Sequence, residues 1–180
     1  IISFDGPASG LRYQEAPTPE PGPGEIAVDV DHAGVGYVEA LFTEGLVPID
    51  LPWTPGLEVS GRVRALGDGV DGYRVGDAVV ALTITGGGGY GQVAVAPAEL
   101  VTSLPAGLDP VLAAAVPANS TTALVALEEI AHLRRGESVL VHAAAGGLGS
   151  QMGQVARLLG ASRVVGVTRS EAKRQEILDL

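Results

Sequence analysis

The sequence of 180 residues contains no cysteine and only three histidines. The absence of cysteine excludes disulfides, thiolate nucleophiles and cysteine-ligated zinc. The histidines are scattered along the chain, so little remains from which another kind of metal site could be built. We therefore expect a protein without a bound metal.

Positive charge is scarce as well. Lysine and arginine together number 11, against 21 aspartates and glutamates, which gives a formal net charge of −10 at pH 7. Nucleic acids and anionic membranes are bound largely through lysine and arginine. The charge balance therefore argues against both as partners.

Long apolar runs are also absent. No stretch of 18 apolar residues is free of glycine, proline or charge, so no transmembrane helix is predicted. Residues 1–5 lack the basic segment and the apolar run of a signal peptide, and their pattern favours a strand. A cytoplasmic location is then the default. Because there is no initiator methionine, we also expect residues before Ile1.

The composition that remains is apolar and rich in turn formers. Hydrophobic residues make up 46% of the chain and charged residues 18%, with 26 glycines and 12 prolines. Such a chain is expected to fold around a core rather than to stay disordered. The glycines and prolines predict many turns and short strands instead of a helical bundle.

The residues before about 105 have the pattern of short strands separated by turns. Apolar and polar residues alternate over Glu25–Val35, which is typical of a half-buried strand. One short helix is predicted over Tyr37–Glu44. Further strands are predicted over Leu57–Leu66, Asp77–Leu82 and Gln92–Ala96. This arrangement predicts an antiparallel, barrel-like domain.

The pattern changes from Asp109 onward. A helix is predicted over Thr121–Ala131, with Asn119 or Ser120 as its cap. After it, strands and helices alternate, which predicts a βαβα unit with a parallel pair of strands. The predicted elements are a strand over Glu137–His142, a helix over Ser150–Leu159, a strand over Ser162–Thr168 and a helix over Ser170–Leu180.

The turn after the first of these strands has the composition of a phosphate-binding loop. It reads Ala144-Ala145-Gly146-Gly147-Leu148-Gly149, the dinucleotide-binding pattern G-x-G-x-x-G with Ala144 in the first glycine position. Glycine is needed where the backbone approaches a pyrophosphate, at Gly146, and where helix and strand pack closely, at Gly149. The N-terminus of the following helix would face the phosphates. The alternative is a tight turn in another kind of α/β protein.

The end of the second strand bears on which cofactor is bound. NAD-binding units place an acidic residue there to hold the ribose 2′-OH. This chain has Thr168-Arg169-Ser170, followed by Lys173. Arg169 and Lys173 could meet a 2′-phosphate, with Ser170 as a hydrogen-bond donor, which favours NADPH over NADH. Alternatively, both cations are solvated charges at the start of a helix, although they oppose its dipole there.

Five short segments together resemble the medium-chain dehydrogenase/reductase superfamily, in its zinc-independent quinone oxidoreductase and enoyl reductase branch. The resemblance covers nearly the whole chain. It implies a GroES-like β-barrel domain over residues 1–118 that bears most of the substrate site. It also implies the N-terminal part of a Rossmann domain over residues 119–180, with the nicotinamide in the cleft between the two. The segments are Gly34–Glu39, Pro55–Gly61, Arg74–Asp77, Gly89–Val93 and Val141–Gly149.

The same resemblance implies site residues. Zinc alcohol dehydrogenases of the superfamily have histidine where this chain has Leu57, so zinc is not expected. Tyr37 occupies a neighbourhood that some enoyl reductases use for proton donation, or it is a cleft-lining aromatic. Thr122 matches a threonine near the nicotinamide amide, or it bonds the backbone of its own helix. The chain departs from the family by having Gly36 where asparagine is usual and Glu39 where aspartate is usual.

The resemblance implies hydride transfer from NADPH to a quinone or to an α,β-unsaturated carbonyl in a small-molecule substrate. The protein would be free-standing, or the enoyl reductase domain of a polyketide or fatty-acid synthase. A non-catalytic NADPH-binding relative is the alternative that Gly36 motivates. Two strands are too few for a complete Rossmann domain, so we expect the chain to continue past its second βα unit. In the full-length protein a homodimer is expected.

Overall fold

The structure, a computed structural model, describes residues 11 and 13–179. The strand expected over residues 1–5 and the end of the last expected helix, Leu180, lie outside these residues. The chain forms two compact units, the N-terminal unit of residues 1–117 and the C-terminal unit of residues 118–180.

The N-terminal unit is built on a five-stranded sheet in which every pairing is antiparallel. The spatial order is β4-β1-β2-β3-β5, so β1 pairs with both β2 and β4. The prediction of an antiparallel, barrel-like fold is confirmed. Its strands are β1 (Glu25–Ala33), β2 (Glu58–Leu66), β3 (Ala78–Leu82), β4 (Val93–Pro97) and β5 (Val101–Ser103), and its helices are α1 (Tyr37–Thr43) and α2 (Pro110–Ala113).

The alternation of side chains along the strands creates the core of this unit. Ile26 and Val28 of β1 and Val59 of β2 are fully buried, and Val63 and Val79 join them. On the other face of β1, Asp29 and Asp31 point to solvent, where Asp29 pairs with Arg64 at 2.8 Å, whereas Ala27 is buried. One face of the sheet is therefore apolar and covered, and the other is polar in part.

The first strand ends earlier than its pattern predicts. β1 stops at Ala33 instead of Val35 because the N–H of Gly34 bonds the Glu58 carbonyl at 3.0 Å and the chain then turns into α1. A side chain on Gly34 would collide with the Glu58 side chain. This turn brings α1 next to the start of β2.

The C-terminal unit contains a two-stranded parallel sheet with helices. The strands pair from Ser138↔Arg163 to His142↔Val167, which confirms the predicted parallel pair. Its strands are β6 (Ser138–His142) and β7 (Arg163–Val167), and its helices are α3 (Pro117–Leu124), which continues as a π-helical segment (Val125–Ile130), α4 (Gly147–Leu158) and α5 (Arg174–Asp179).

Three helix starts differ from the sequence expectation. α3 begins at Pro117 rather than Thr121, because proline is well suited to the first helical position. α4 begins at Gly147 rather than Ser150, with Gly146 as its N-cap, so the glycine turn itself forms the first turn of the helix. α5 begins only at Arg174, after a 3₁₀ turn over Glu171–Lys173.

The sheet of the C-terminal unit is packed on one face. Val155 and Ala156 of α4 pack with Ala123 and Leu127, and the side chains of Val139 and Val164 lie against this cluster. On the opposite face, Leu140 is 59% exposed and Val167 is 40% exposed. No helix in the described part of the chain has the length and apolar character needed to span a bilayer.

Candidate functional site

A groove of about 540 Å³ opens at the carboxyl ends of β6 and β7. The parallel register places His142 opposite Val167, so both strands end at the same edge of the sheet. The N–H of Ala144 bonds the Val167 carbonyl at 3.0 Å and closes this edge. The groove is lined by His142, Ala143, Ala145, Gly146, Val167, Thr168, Arg169, Ser170 and Lys173.

The glycine turn divides into an exposed part and a buried part. Gly146, Gly147 and Leu148 are exposed, and Gly146 also lines the groove. Gly149 is buried, and a side chain there would collide with the Ala143 carbonyl oxygen and lie 2.8 Å from the Ala144 Cα. The contact of Gly149 fits the close helix–strand packing that the sequence pattern predicts. The exposed residues leave the start of α4 open to a ligand.

Ala144 lies behind the turn rather than in the groove. It is only 5% exposed. A Cβ at Gly166 of β7 would lie 2.8 Å from the Ala144 Cβ, so the methyl group fills space that a side chain on β7 would otherwise need. An alanine in the first glycine position is thus accommodated because Gly166 has no side chain.

The residues after β7 bring positive charge to the same groove. Arg169, Ser170 and Lys173 all line it, and the turn is held by the Ser170 N–H donating to the Thr168 Oγ1 at 3.2 Å. The Lys173 N–H donates to the Ser170 carbonyl at 3.2 Å. Two cations and the N-terminus of a 12-residue helix therefore face one groove. A phosphorylated dinucleotide fits this set of donors.

Three residues near this site were not identified as functional from the sequence. His142 is exposed and lines the groove, and Thr168 lines it as well. The Asn119 amide lies 3.1 Å from where a Cβ of Gly147 would be, at the first residue of α4. For His142 and Thr168, the available signal was their position at a strand's carboxyl end.

Thr122 points its hydroxyl back into its own helix. The Oγ1 donates to the Ala118 carbonyl at 2.7 Å, and the residue is exposed. This bond to the backbone of its own helix is the alternative stated above for Thr122. It uses the hydroxyl hydrogen and leaves the lone pairs of Oγ1 available to accept a hydrogen bond. The nearby Ser120 hydroxyl instead donates to the Gln151 Oε1 at 2.9 Å, which ties α3 to α4.

In the N-terminal unit, Tyr37 is the first residue of α1 and is 80% exposed. The same unit contains two buried carboxylates, those of Glu39 and Glu58, and each residue is only 5% exposed. Burial, together with the negative charges of Glu39 and Glu58, raises the pKa of the Tyr90 phenol to about 12. The phenol of Tyr90 is therefore a neutral hydrogen-bond donor at physiological pH.

The glycine run after β3 is packed against the rest of the unit. Its N–H groups bond the preceding segment, including Gly88 N–H to the Thr54 carbonyl at 2.8 Å and Tyr90 N–H to the Pro55 carbonyl at 2.9 Å. A Cβ on Gly87 would lie 2.6 Å from the Trp53 indole, which stands 4.9 Å from the Phe42 ring. Trp53 thus anchors this loop.

Metal ligands do not cluster in the part of the chain that the structure describes. No group of three or more histidine, cysteine, aspartate or glutamate residues there could hold a metal ion. At the position where the zinc enzymes carry histidine, Leu57 is buried at 6% exposure.

Comparisons with known proteins agree with the fold. Residues 22–106 match the family model of the alcohol dehydrogenase GroES-like domain. The human synaptic vesicle membrane protein VAT-1 homolog-like is 38% identical over 99% of this chain and 42% of its own length. The quinone oxidoreductase of Sus scrofa is 34% identical over 99% of this chain and 54% of its own length.

Two further comparisons concern a synthase and a cofactor complex. The reducing polyketide synthase PKS1 of Cochliobolus heterostrophus is 38% identical over 84% of this chain and 6% of its own length. A mycobacterial protein solved in complex with NADPH is 33% identical, with a TM-score of 0.89 over 99% of this chain and 55% of that one.

The chain spans about half the length of the curated quinone oxidoreductases it matches. Its antiparallel GroES-like unit is followed by a glycine turn between parallel strands, in the order that these relatives share. Residues 22–106 form an alcohol dehydrogenase GroES-like domain, and the chain as a whole is similar to members of the medium-chain dehydrogenase/reductase superfamily.

Proposed function

We propose that the protein is an NADPH-dependent oxidoreductase that transfers hydride to a quinone or an α,β-unsaturated carbonyl without zinc. The observation that carries the proposal is the groove where the exposed start of α4 meets Arg169 and Lys173. The similarity to named quinone oxidoreductases supports the acceptor class. The assignment concerns the whole protein, of which this chain matches about half.

In this proposal each part of the groove has one task. The exposed backbone of Gly146, Gly147 and Leu148 binds the pyrophosphate, while Gly149 and Ala144 hold helix and strand close enough to shape the turn. Arg169, Ser170 and Lys173 bind the 2′-phosphate. Thr122 offers its free oxygen lone pairs to the carboxamide of the nicotinamide. NADPH would supply the hydride.

Tyr37 is the proposed proton donor. Hydride addition to an enone leaves negative charge on the substrate oxygen and α-carbon, and a phenol within hydrogen-bond reach can protonate that enolate. The exposure of Tyr37, at 80%, leaves its hydroxyl accessible to a substrate. Its place at the start of α1 gives its backbone a defined position.

Zinc-free chemistry is part of the same proposal. The buried Leu57 offers no lone pair where the zinc enzymes have a ligand, and the sequence contains no cysteine. A substrate whose carbonyl is conjugated to the reduced double bond spreads the developing charge itself. It therefore needs no Lewis acid of the kind that polarises an isolated carbonyl.

Two alternatives have a specific observation behind them. The 38% identity to a polyketide synthase favours an enoyl reductase domain of a synthase, in which the acceptor is a carrier-bound enoyl thioester. The N-cap glycine, Gly36, brings no side chain to the start of α1, which favours a relative that binds NADPH without turnover. A homodimer of the full-length protein stays a prediction.

The deciding experiment measures NADPH oxidation by the intact protein with a quinone, a free enone and an enoyl thioester. Turnover with a quinone or enone, undiminished by a chelator, is the expected result. Turnover with the thioester alone favours the synthase alternative. Tight NADPH binding with no turnover on any acceptor favours the non-catalytic one. Stoichiometric zinc in active protein would overturn the zinc-free mechanism.

A further inference from the structure

Three groups in the N-terminal unit have no role in the function proposed above. They are the carboxylates of Glu39 and Glu58 and the phenol of Tyr90. A buried carboxylate is costly unless hydrogen bonds hold it. The fold therefore keeps Glu39, at 5% exposure, in place through specific partners.

The Glu39 carboxylate reaches back to the start of its own helix. Its Oε2 accepts a hydrogen bond from the Gly36 N–H at 3.1 Å. Gly36 is the N-cap, with an extended backbone (φ −110°, ψ 165°) that any residue can adopt. A Cβ on residue 36 would lie 2.8 Å from the same Oε2, a contact that the flexible glutamate side chain relieves by a small shift.

Tyr37 is the residue immediately after this contact. A bond between the N-cap N–H and a carboxylate three residues later fixes the path by which the chain enters a helix. With 80% of its surface exposed, Tyr37 takes little of its orientation from packing. Its position therefore depends on the backbone that Glu39 holds.

Tyr90, on a separate loop, interacts electrostatically with the same carboxylate. This loop is tied down by the Tyr90 N–H bonding the Pro55 carbonyl at 2.9 Å, and the backbone of Gly56 lies directly against it. The negative charges of Glu39 and Glu58 contribute to the raised pKa of the Tyr90 phenol. The contact that fixes Glu39 is its hydrogen bond to the Gly36 N–H.

We propose that Glu39 is a positioning residue for Tyr37. The inference rests on the proposed role of Tyr37 as proton donor. It gives a role to one departure from the family pattern, the glutamate at position 39, because its carboxylate accepts a hydrogen bond from the helix start.

The test compares three variants of the intact protein. Glu39→Met keeps the size but removes the acceptor, and Glu39→Gln keeps an acceptor without the charge. Glu44→Gln removes a charge from the exposed end of the same helix and serves as the control. The measurements are turnover number and KM with an enone and a quinone, NADPH affinity, and hydrogen exchange of the amides of residues 36–40.

Glu39→Met should lower the enone turnover number about tenfold and speed exchange of residues 36–40 on the order of tenfold, the effect of one lost hydrogen bond to a charged group. The quinone rate and NADPH affinity should stay within about twofold of wild type, well below that tenfold effect. Glu39→Gln and Glu44→Gln should resemble wild type.

Several results would overturn the proposal. They are unchanged exchange in Glu39→Met, unchanged enone turnover despite faster exchange, or a joint loss of both activities and of NADPH affinity. If the wild-type protein turns over no acceptor, the proposed function fails separately. The exchange of residues 36–40 then decides alone whether Glu39 holds the helix start.

Discussion

The two units bury their strands in different ways. In the N-terminal unit, antiparallel strands bury one face completely, with Ile26 and Val28 at 0% exposure, and turn polar residues outward. In the C-terminal unit, the parallel strands are apolar on both faces. One face is packed against helices, whereas on the other Leu140 is 59% exposed. Parallel sheets are usually covered on both sides. The difference shows that strand type sets how much partner surface a unit requires.

Charge separates the two units as well. Residues 1–117 contain 15 acidic and 4 basic residues, whereas residues 118–180 contain 6 acidic and 7 basic ones. The whole excess of negative charge therefore belongs to the N-terminal unit. A multiply charged phosphate ligand is repelled by one unit and tolerated by the other, which agrees with the groove lying in the C-terminal unit.

Separating the units should produce the largest effect. Residues 1–117 alone should unfold in one cooperative urea transition, because their core is enclosed within the unit. Residues 118–180 alone should show no cooperative transition, because one face of their sheet lies open. Circular dichroism during urea titration is the measurement. A sharp transition in the C-terminal fragment would show that residues 118–180 fold cooperatively without further partner surface.

Tyr37→Phe should separate chemistry from cofactor binding. Enone reduction should slow by about 10²–10⁴, the usual value of a general acid, and the configuration at the protonated carbon should change. NADPH affinity should stay nearly constant because the phosphate groove belongs to the other unit. Quinone reduction should change less, since reduced quinones take protons from water. An unchanged enone rate and product would make Tyr37 a cleft-lining aromatic.

Arg169→Ala combined with Lys173→Ala tests the cofactor preference of the C-terminal unit. NADPH affinity should fall about 10- to 100-fold, the value of one or two charge-assisted contacts, with little change for NADH. Arg163→Ala is the matched control, because Arg163 lies at the opposite end of β7. Isothermal titration with both cofactors measures the difference. Equal losses for the two cofactors would reject the 2′-phosphate role.

Two glycines of the turn should affect different properties, Gly149 the stability of the unit and Gly146 the binding of NADPH. Gly149→Ala should lower the free energy of unfolding of the C-terminal unit by about 1–3 kcal/mol, because its side chain meets backbone atoms. Gly146→Ala, whose Cβ would lie 3.1 Å from one carbonyl oxygen, should mainly weaken NADPH binding. Denaturant unfolding and cofactor titration of both variants are the measurements. Equal destabilisation by both would show that the two glycines share one role.

The smallest effect concerns the N-terminal unit at high pH. The pKa of Tyr90 in the folded protein, about 12, lies above the ordinary tyrosine value of 10.0. Between these values the unfolded state loses its phenolic proton and the folded state keeps it, so stability falls as pH rises from 10 to about 12. Tyr90→Phe should remove this part of the decline. An identical pH dependence in that variant would show that the phenol is not shielded.

Much of this architecture can be predicted from local pattern. Alternation locates β1 and the parallel pair, and the glycine spacing locates the turn, because these signals repeat over neighbouring residues. The early end of β1 cannot be predicted in this way, since it depends on Gly34 lying against Glu58, 24 positions away. The π-helical turn of residues 125–130 likewise has no local signal.

The candidate site shows the same division. Arg169, Ser170 and Lys173 are found from their distance to the glycine turn and do line the groove. The orientation of His142 cannot be predicted, because an isolated histidine at a strand end has no pattern that reveals which way it faces. The contact of Glu39 with Gly36 was also beyond reach, because it depends on the backbone geometry of the helix start, where the Gly36 N–H meets the Glu39 Oε2 at 3.1 Å.

The helix α4 begins without a side-chain cap, since Gly146 has none to offer. Its first N–H groups are bonded by no residue of the helix itself and remain to be satisfied by solvent or by a ligand. An anion bound there accepts hydrogen bonds from these N–H groups, and it therefore stabilises the helix as well as filling the site. Folding of the C-terminal unit and occupancy of the groove are therefore thermodynamically linked, and a ligand at 100 times its dissociation constant would add about 2.7 kcal/mol of stability.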